Sequence, residues 1–118
     1  MKFLVMVNSS PWGSSRSGAA LRFVRAALSA EHEVRAIYFR GDGVYHALHG
    51  DQADTGAEDL SAAFAWLAQS GNIDLLLCSA ALSRRFPRTD ELPPAPWQSA
   101  GLARWVGLLH EIDRVVSF

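Results

Sequence analysis

The sequence predicts an α/β fold: a single layered domain over residues 1–118 with a mainly parallel sheet flanked by helices. Three observations carry that prediction. Phe3 to Val7 is a continuous apolar run ending at Asn8, the pattern of a central strand buried on both faces. Leu21, Val24 and Leu28 then recur at helical spacing, with Phe23 and Ala27 broadening the stripe. Glu33 to Phe39 alternates and turns apolar, as a second strand does. Strand, helix, strand in that order implies a right-handed crossover between parallel neighbours. With 118 residues of which 49% are apolar, the chain is long enough for one core and too short for two.

Between the first strand and its helix lies Ser9-Ser10-Pro11-Trp12-Gly13-Ser14-Ser15, a turn-forming loop that sets a helix over about Ser15 to Ala30. Its serine hydroxyls and the free N–H groups of the helix start either hold an anion or only cap the helix. Gly41-Asp42-Gly43 ends strand two. Val44 to His49 reads as a short helix or an irregular segment. His46 and His49, with Asp51 near, have the spacing of one helical face, but a third ligand is missing and the pair reads as surface histidines. Thr55-Gly56-Ala57-Glu58 fits a capping box ahead of Leu60, Ala63, Phe64 and Leu67, a helical stripe that ends at Gly71.

Ile73 to Leu77 is a third, fully apolar strand, and Ser79-Ala80-Ala81-Leu82 begins a helix. Cys78 therefore sits at a strand-to-helix junction, the place where open α/β sheets hold ligands. The positive end of the helix dipole favours thiolate there, and Arg84 and Arg85 add positive field if they point inward. Cys78 as a small core residue explains the position equally well, and the arginine pair also reads as a solvated face or a surface for an acidic partner. After Arg85 the composition changes: Pro87, Pro93, Pro94 and Pro96 exclude regular structure over much of the span they occupy, leaving a loop or extended arm. Leu102, Trp105, Val106 and Leu109 recur at helical spacing, weakened by Gly101 and Gly107, and Arg114 to Phe118 closes the chain as a last strand.

Bulk properties exclude several classes of function. A net charge of −1 removes the argument for non-specific nucleic-acid binding. One cysteine allows no internal disulfide, and the first apolar run is too short for a signal peptide or a membrane span, so a soluble cytoplasmic protein is expected. Four Trp and six Phe exceed what one small core needs, which leaves aromatics for a subunit interface.

Three stretches together resemble the TusD/DsrE family of small sulfur-transfer proteins, and its TusD branch most. They are Phe39-Arg40-Gly41-Asp42-Gly43-Val44-Tyr45, Leu77-Cys78-Ser79-Ala80-Ala81-Leu82-Ser83-Arg84-Arg85 and Ile112-Asp113-Arg114-Val115-Val116-Ser117-Phe118. The resemblance implies a DsrE/F-like, flavodoxin-like arrangement. It implies a sulfurtransferase subunit, assembled with TusB-like and TusC-like subunits into a hetero-oligomer, a heterohexamer. Such a subunit takes sulfane sulfur from a TusA-like donor and passes it to a TusE-like acceptor, toward 2-thiolation of the tRNA wobble uridine. Cys78 matches the persulfide-carrying position, with Ser79, Ala80, Arg84 and Arg85 as thiolate-stabilising or partner-contacting residues. No cofactor, metal, membrane or direct tRNA contact is implied. Two other readings stand beside it: a non-catalytic structural or anion-binding subunit, and a DsrE-type protein of dissimilatory sulfur oxidation. Phe86 replaces the branch's usual Gly, and Pro93-Pro94-Ala95-Pro96 a less constrained segment, which leaves the loop beyond the cysteine and the partner contacts open.

Overall fold

The computed structural model describes residues 1–13, 15–47, 59–87 and 94–118. In chain order the elements are β1 (Lys2–Val7), α1 (Arg16–Ser29), β2 (Glu33–Phe39), a 3-10 helix (Gly41–Ala47), α2 (Leu60–Gly71), β3 (Asp74–Cys78), α3 (Ser79–Arg85), β4 (Trp97–Ala100), α4 (Leu102–Leu109) and β5 (Arg114–Ser117). The strands form one five-stranded sheet in the order β4-β3-β2-β1-β5, and every pair is parallel. The expected fold class is the observed one.

Side chains alternate across the sheet and build two unequal cores. Val5, Val7, Ile37, Phe39, Leu75 and Leu77 point to the face covered by α1, α2 and α3, where Leu21, Val24, Phe64, Leu67 and Ala81 meet them. Leu4, Met6, Ala36, Tyr38 and Leu76 point to the opposite face, which α4 covers through Leu108 and the half-buried Trp105. Each fully buried Leu or Phe in these layers is worth about 1.5–3 kcal/mol relative to exposure, so the face with three helices carries most of the stability.

Four local details add to the sequence expectations. The capping box at Thr55 to Glu58 lies outside the described residues, and α2 is capped by Asp59, whose Oδ1 accepts from the Ala62 N–H at 3.2 Å. Ser15, at the α1 N-cap position, has an αR backbone and makes no side-chain cap bond, because a cap requires an extended residue that aims its oxygen back at the helix. The proline-rich stretch ends in a strand, β4: a proline is tolerated just before an edge strand, and Trp97 to Ala100 carry no proline themselves. Finally, most of the apolar stripe of α4 faces outward. Leu102 is 76% exposed and Val106 45%, while Leu108 and the stripe's Trp105 pack inward.

Gly43 explains why the 3-10 helix can fold back on the sheet. A Cβ there would collide with the Val7 carbonyl, so only glycine permits this approach of backbone to the end of β1. The Gly43 N–H in turn donates to the Arg40 carbonyl at 2.8 Å. Among the aromatics, Phe39 and Phe64 are fully buried, and Trp12 and Trp66 are exposed as the composition anticipated.

Candidate functional site

Cys78 is the last residue of β3 and the N-cap of α3, half-buried, with its thiol unbonded to any other cysteine. Its register partner across the β3–β4 pair is Ala100, the last residue of β4. The two strands part company there. β3 continues into α3, whose Ala81 joins the face covered by α1 and α2, whereas β4 continues through Gly101 into α4 on the other face. Adjacent parallel strands whose following helices leave on opposite faces open a crevice between them at their carboxyl ends, the end of the sheet where open α/β folds bind ligands. Cys78 and Ser79 form one lip and Gly101 the other: a Cβ built on Gly101 would lie 3.7 Å from the Ser79 Oγ.

The remaining predicted residues divide. Ser79 is half-buried beside Cys78, and Ala80 is exposed. Arg85 turns away to Asp42, with Nη2 at 2.9 Å and Nε at 3.1 Å from one carboxylate oxygen. Asp42 is well exposed, so this pair adds little stability and serves to hold the end of α3 against the 3-10 helix. Arg84 is exposed to solvent. Both arginines are close to Cys78 in sequence, but the helix carries them about two turns beyond the sulfur.

One residue near the end of β2 that no sequence signal singles out, Tyr38, belongs to the site. Tyr38 is buried, and its hydroxyl donates to the Ala100 carbonyl at 3.3 Å. Burial, reinforced by the charge and hydrogen bonding of the neighbouring Cys78 side chain, pushes its phenol up to about 12. Arg40, exposed two residues on, exerts a positive charge on the same phenol in the opposite sense. Tyr38 lies beside the Phe39 to Tyr45 segment and Arg40 within it, yet only strand pairing reveals that Tyr38 neighbours Cys78.

The loop after β1 meets the site's edge through a separate polar cluster. His46 is fully buried, which corrects its reading as a surface histidine. Its Nε2 lies 3.0 Å from the Ser17 Oγ and 3.1 Å from the Ser9 carbonyl, and the Ser17 hydroxyl lies 3.0 and 3.1 Å from the Ser9 and Ser10 carbonyls. Nδ1 has no partner. A proton on Nε2 satisfies the network and leaves only a bare acceptor at Nδ1, and burial lowers the imidazole to about 4. Ser10 Oγ is spent on the Trp12 carbonyl at 2.9 Å, so these serines order the loop. Trp12, Tyr45 and Phe86 then stack in sequence, with ring centroids 5.9 and 5.5 Å apart, and join that loop to the 3-10 helix and the end of α3. His49, Asp51 and Ser14 lie outside the described residues. Among those described, no cluster of three His, Cys, Asp or Glu could hold a metal, and no helix is long and apolar enough to cross a membrane.

Comparison with known proteins gives three findings. The profile of the DsrE/DsrF-like family matches residues 1–118. Among curated proteins the chain is 31% identical to the sulfurtransferase TusD homolog of Pseudomonas aeruginosa over a 128-residue alignment covering 100% of this chain and 97% of that one. It is 30% identical to the sulfurtransferase TusD of Cronobacter sakazakii, with both chains covered completely. The crystal structure of the ychN protein from E. coli superposes with a TM-score of 0.84 at 19% identity, covering 100% of this chain and 99% of that one.

Proposed function

The chain belongs to the DsrE/DsrF-like family, and from that premise we propose that it is a sulfur-relay subunit whose Cys78 carries sulfane sulfur as a persulfide. Relatives named sulfurtransferase TusD over the full length support a sulfur-transfer role. The observation that carries the assignment to Cys78 is its position: the only cysteine of the chain stands half-buried at the carboxyl end of β3, where β3 and β4 send their helices to opposite faces of the sheet. A relay needs one thiolate that is reachable and held, with no dedicated acid and base, because persulfide exchange proceeds by thiolate attack and thiolate departure.

In this reading Cys78 receives sulfur from a TusA-like carrier and passes it to a TusE-like acceptor, on the route to 2-thiolation of the tRNA wobble uridine. TusB-like and TusC-like subunits complete the complex. The exposed apolar side chains of α4, Leu102, Val106 and Leu109, and Val115 on the edge strand β5 are suited to contact them. A cytoplasmic relay is consistent with a chain whose single cysteine forms no internal disulfide.

The test is mass spectrometry of the protein after incubation with a persulfidated donor. The expected result is a gain of one sulfur on Cys78 in the wild type and none in Cys78→Ser, which keeps size but presents a hydroxyl that stays protonated. Sulfur relay that survives Cys78→Ser, or a Cys78 that never loads in the assembled complex, would replace this reading with that of a structural subunit.

A further inference from the structure

Thiolate attack and departure at Cys78 need no dedicated acid or base, yet Tyr38 places a buried hydroxyl beside that chemistry. It lies on β2, paired in register with Leu76 of β3, and Cys78 comes two residues later on the same face of β3. Its hydroxyl nevertheless reaches the carbonyl of Ala100 on β4. The strand order is β4-β3-β2, so the phenol must cross β3, and it crosses at the level of the Cys78 side chain, which packs against the same cluster. Trp105 of α4 closes over the ring at a centroid distance of 5.2 Å. The side chain is 4% exposed, so water does not compete for its proton.

We propose that Tyr38 is the hydrogen-bond donor that stabilises the Cys78 sulfur as a leaving group when sulfane sulfur is handed on. The inference rests on the relay reading and adds the residue that governs its second step. In that step an acceptor thiolate attacks the outer sulfur of Cys78–S–SH. The new sulfur–sulfur bond forms, the bond to the Cys78 Sγ breaks, and its electron pair returns to Sγ, so the exchange involves no net oxidation or reduction. Negative charge therefore develops on Sγ, beside the phenol. The present bond to Ala100, at 3.3 Å, is long for an O–H donor, and exchanging it for a charge-assisted bond to sulfur is favourable. The phenol holds its proton throughout the neutral range, as a donor must.

The experiment loads wild-type and Tyr38→Phe protein with sodium tetrasulfide and follows discharge by cyanide, which removes the outer sulfur as thiocyanate. Tyr38→Phe keeps the ring and its packing on Trp105, so loading is expected to persist while discharge slows about ten-fold, the size of one charge-assisted hydrogen bond. A second measurement needs no loss of the hydroxyl. The chain has two tyrosines, so 3-fluorotyrosine in a Tyr45→Phe background reports on Tyr38 alone, and its fluorine resonance is expected to shift on persulfidation and return on discharge. Discharge of Tyr38→Phe at the wild-type rate, or a fluorine signal indifferent to the state of Cys78, overturns the inference while the relay reading stands. A wild-type Cys78 that accepts no sulfur overturns both.

Discussion

His46 shows how a single buried side chain sets a condition on the whole protein. Its imidazole is held near a pKa of about 4 by burial, against about 6.5 in the unfolded chain. The unfolded state therefore binds a proton between those values that the native state refuses. Its contribution is complete above pH 6.5 and is lost as pH falls toward 4, by at most about 1.4 kcal/mol per pH unit and on the order of 3 kcal/mol in all. Urea unfolding at pH 7 and pH 5 checks this: the wild type is expected to lose stability over that interval, and His46→Gln to lose about 2 kcal/mol less of it. An unchanged pH slope in the variant would exclude His46 as the cause. The same ring anchors Ser17 and, through it, the Ser9 and Ser10 carbonyls. The serine loop is thereby fixed to the 3-10 helix through its Ser9 and Ser10 carbonyls.

At the scale of elements, helix starts separate what a motif suggests from what a backbone allows. Asp59 has the extended conformation of a working N-cap and accepts the Ala62 N–H. Asp59→Ala is accordingly expected to cost about 1 kcal/mol. Ser15→Ala at the start of α1 is expected to cost no more than about 0.5 kcal/mol, since its hydroxyl makes no cap bond. Thermal or urea unfolding of the two variants side by side checks the contrast, and equal losses would contradict it. α4 makes the complementary point. Its apolar stripe was legible as a helix, yet Leu102, Val106 and Leu109 face away from the sheet, and the helix is held through Leu108 and Trp105. A stripe records which residues share a face; it does not record which side of that face meets the core.

For the whole molecule, outward-facing apolar groups on α4 and β5 bear on assembly. The isolated chain is expected to self-associate and to form one defined complex when produced with TusB-like and TusC-like partners. Leu102→Lys with Val106→Lys should suppress both while changing the stability of the subunit by no more than about 0.5 kcal/mol, because neither side chain is buried in it. Light scattering after size exclusion measures the outcome, and assembly unaffected by the double change would place the interface elsewhere. The sequence alone determined the class of the fold, the three central strands and their helices, and the junction that holds Cys78, because apolar runs and helical periodicity are local signals and a strand-helix-strand order leaves one handedness. It also carried the family, through segments whose residues recur in order. Tertiary structure decided the rest: that His46 is interior, that four residues after the prolines pair as an edge strand, that Arg85 turns to Asp42, and that Tyr38 crosses beneath Cys78 to reach Ala100. Each depends on which strands lie side by side, and residues distant along the chain become neighbours only when the sheet is assembled.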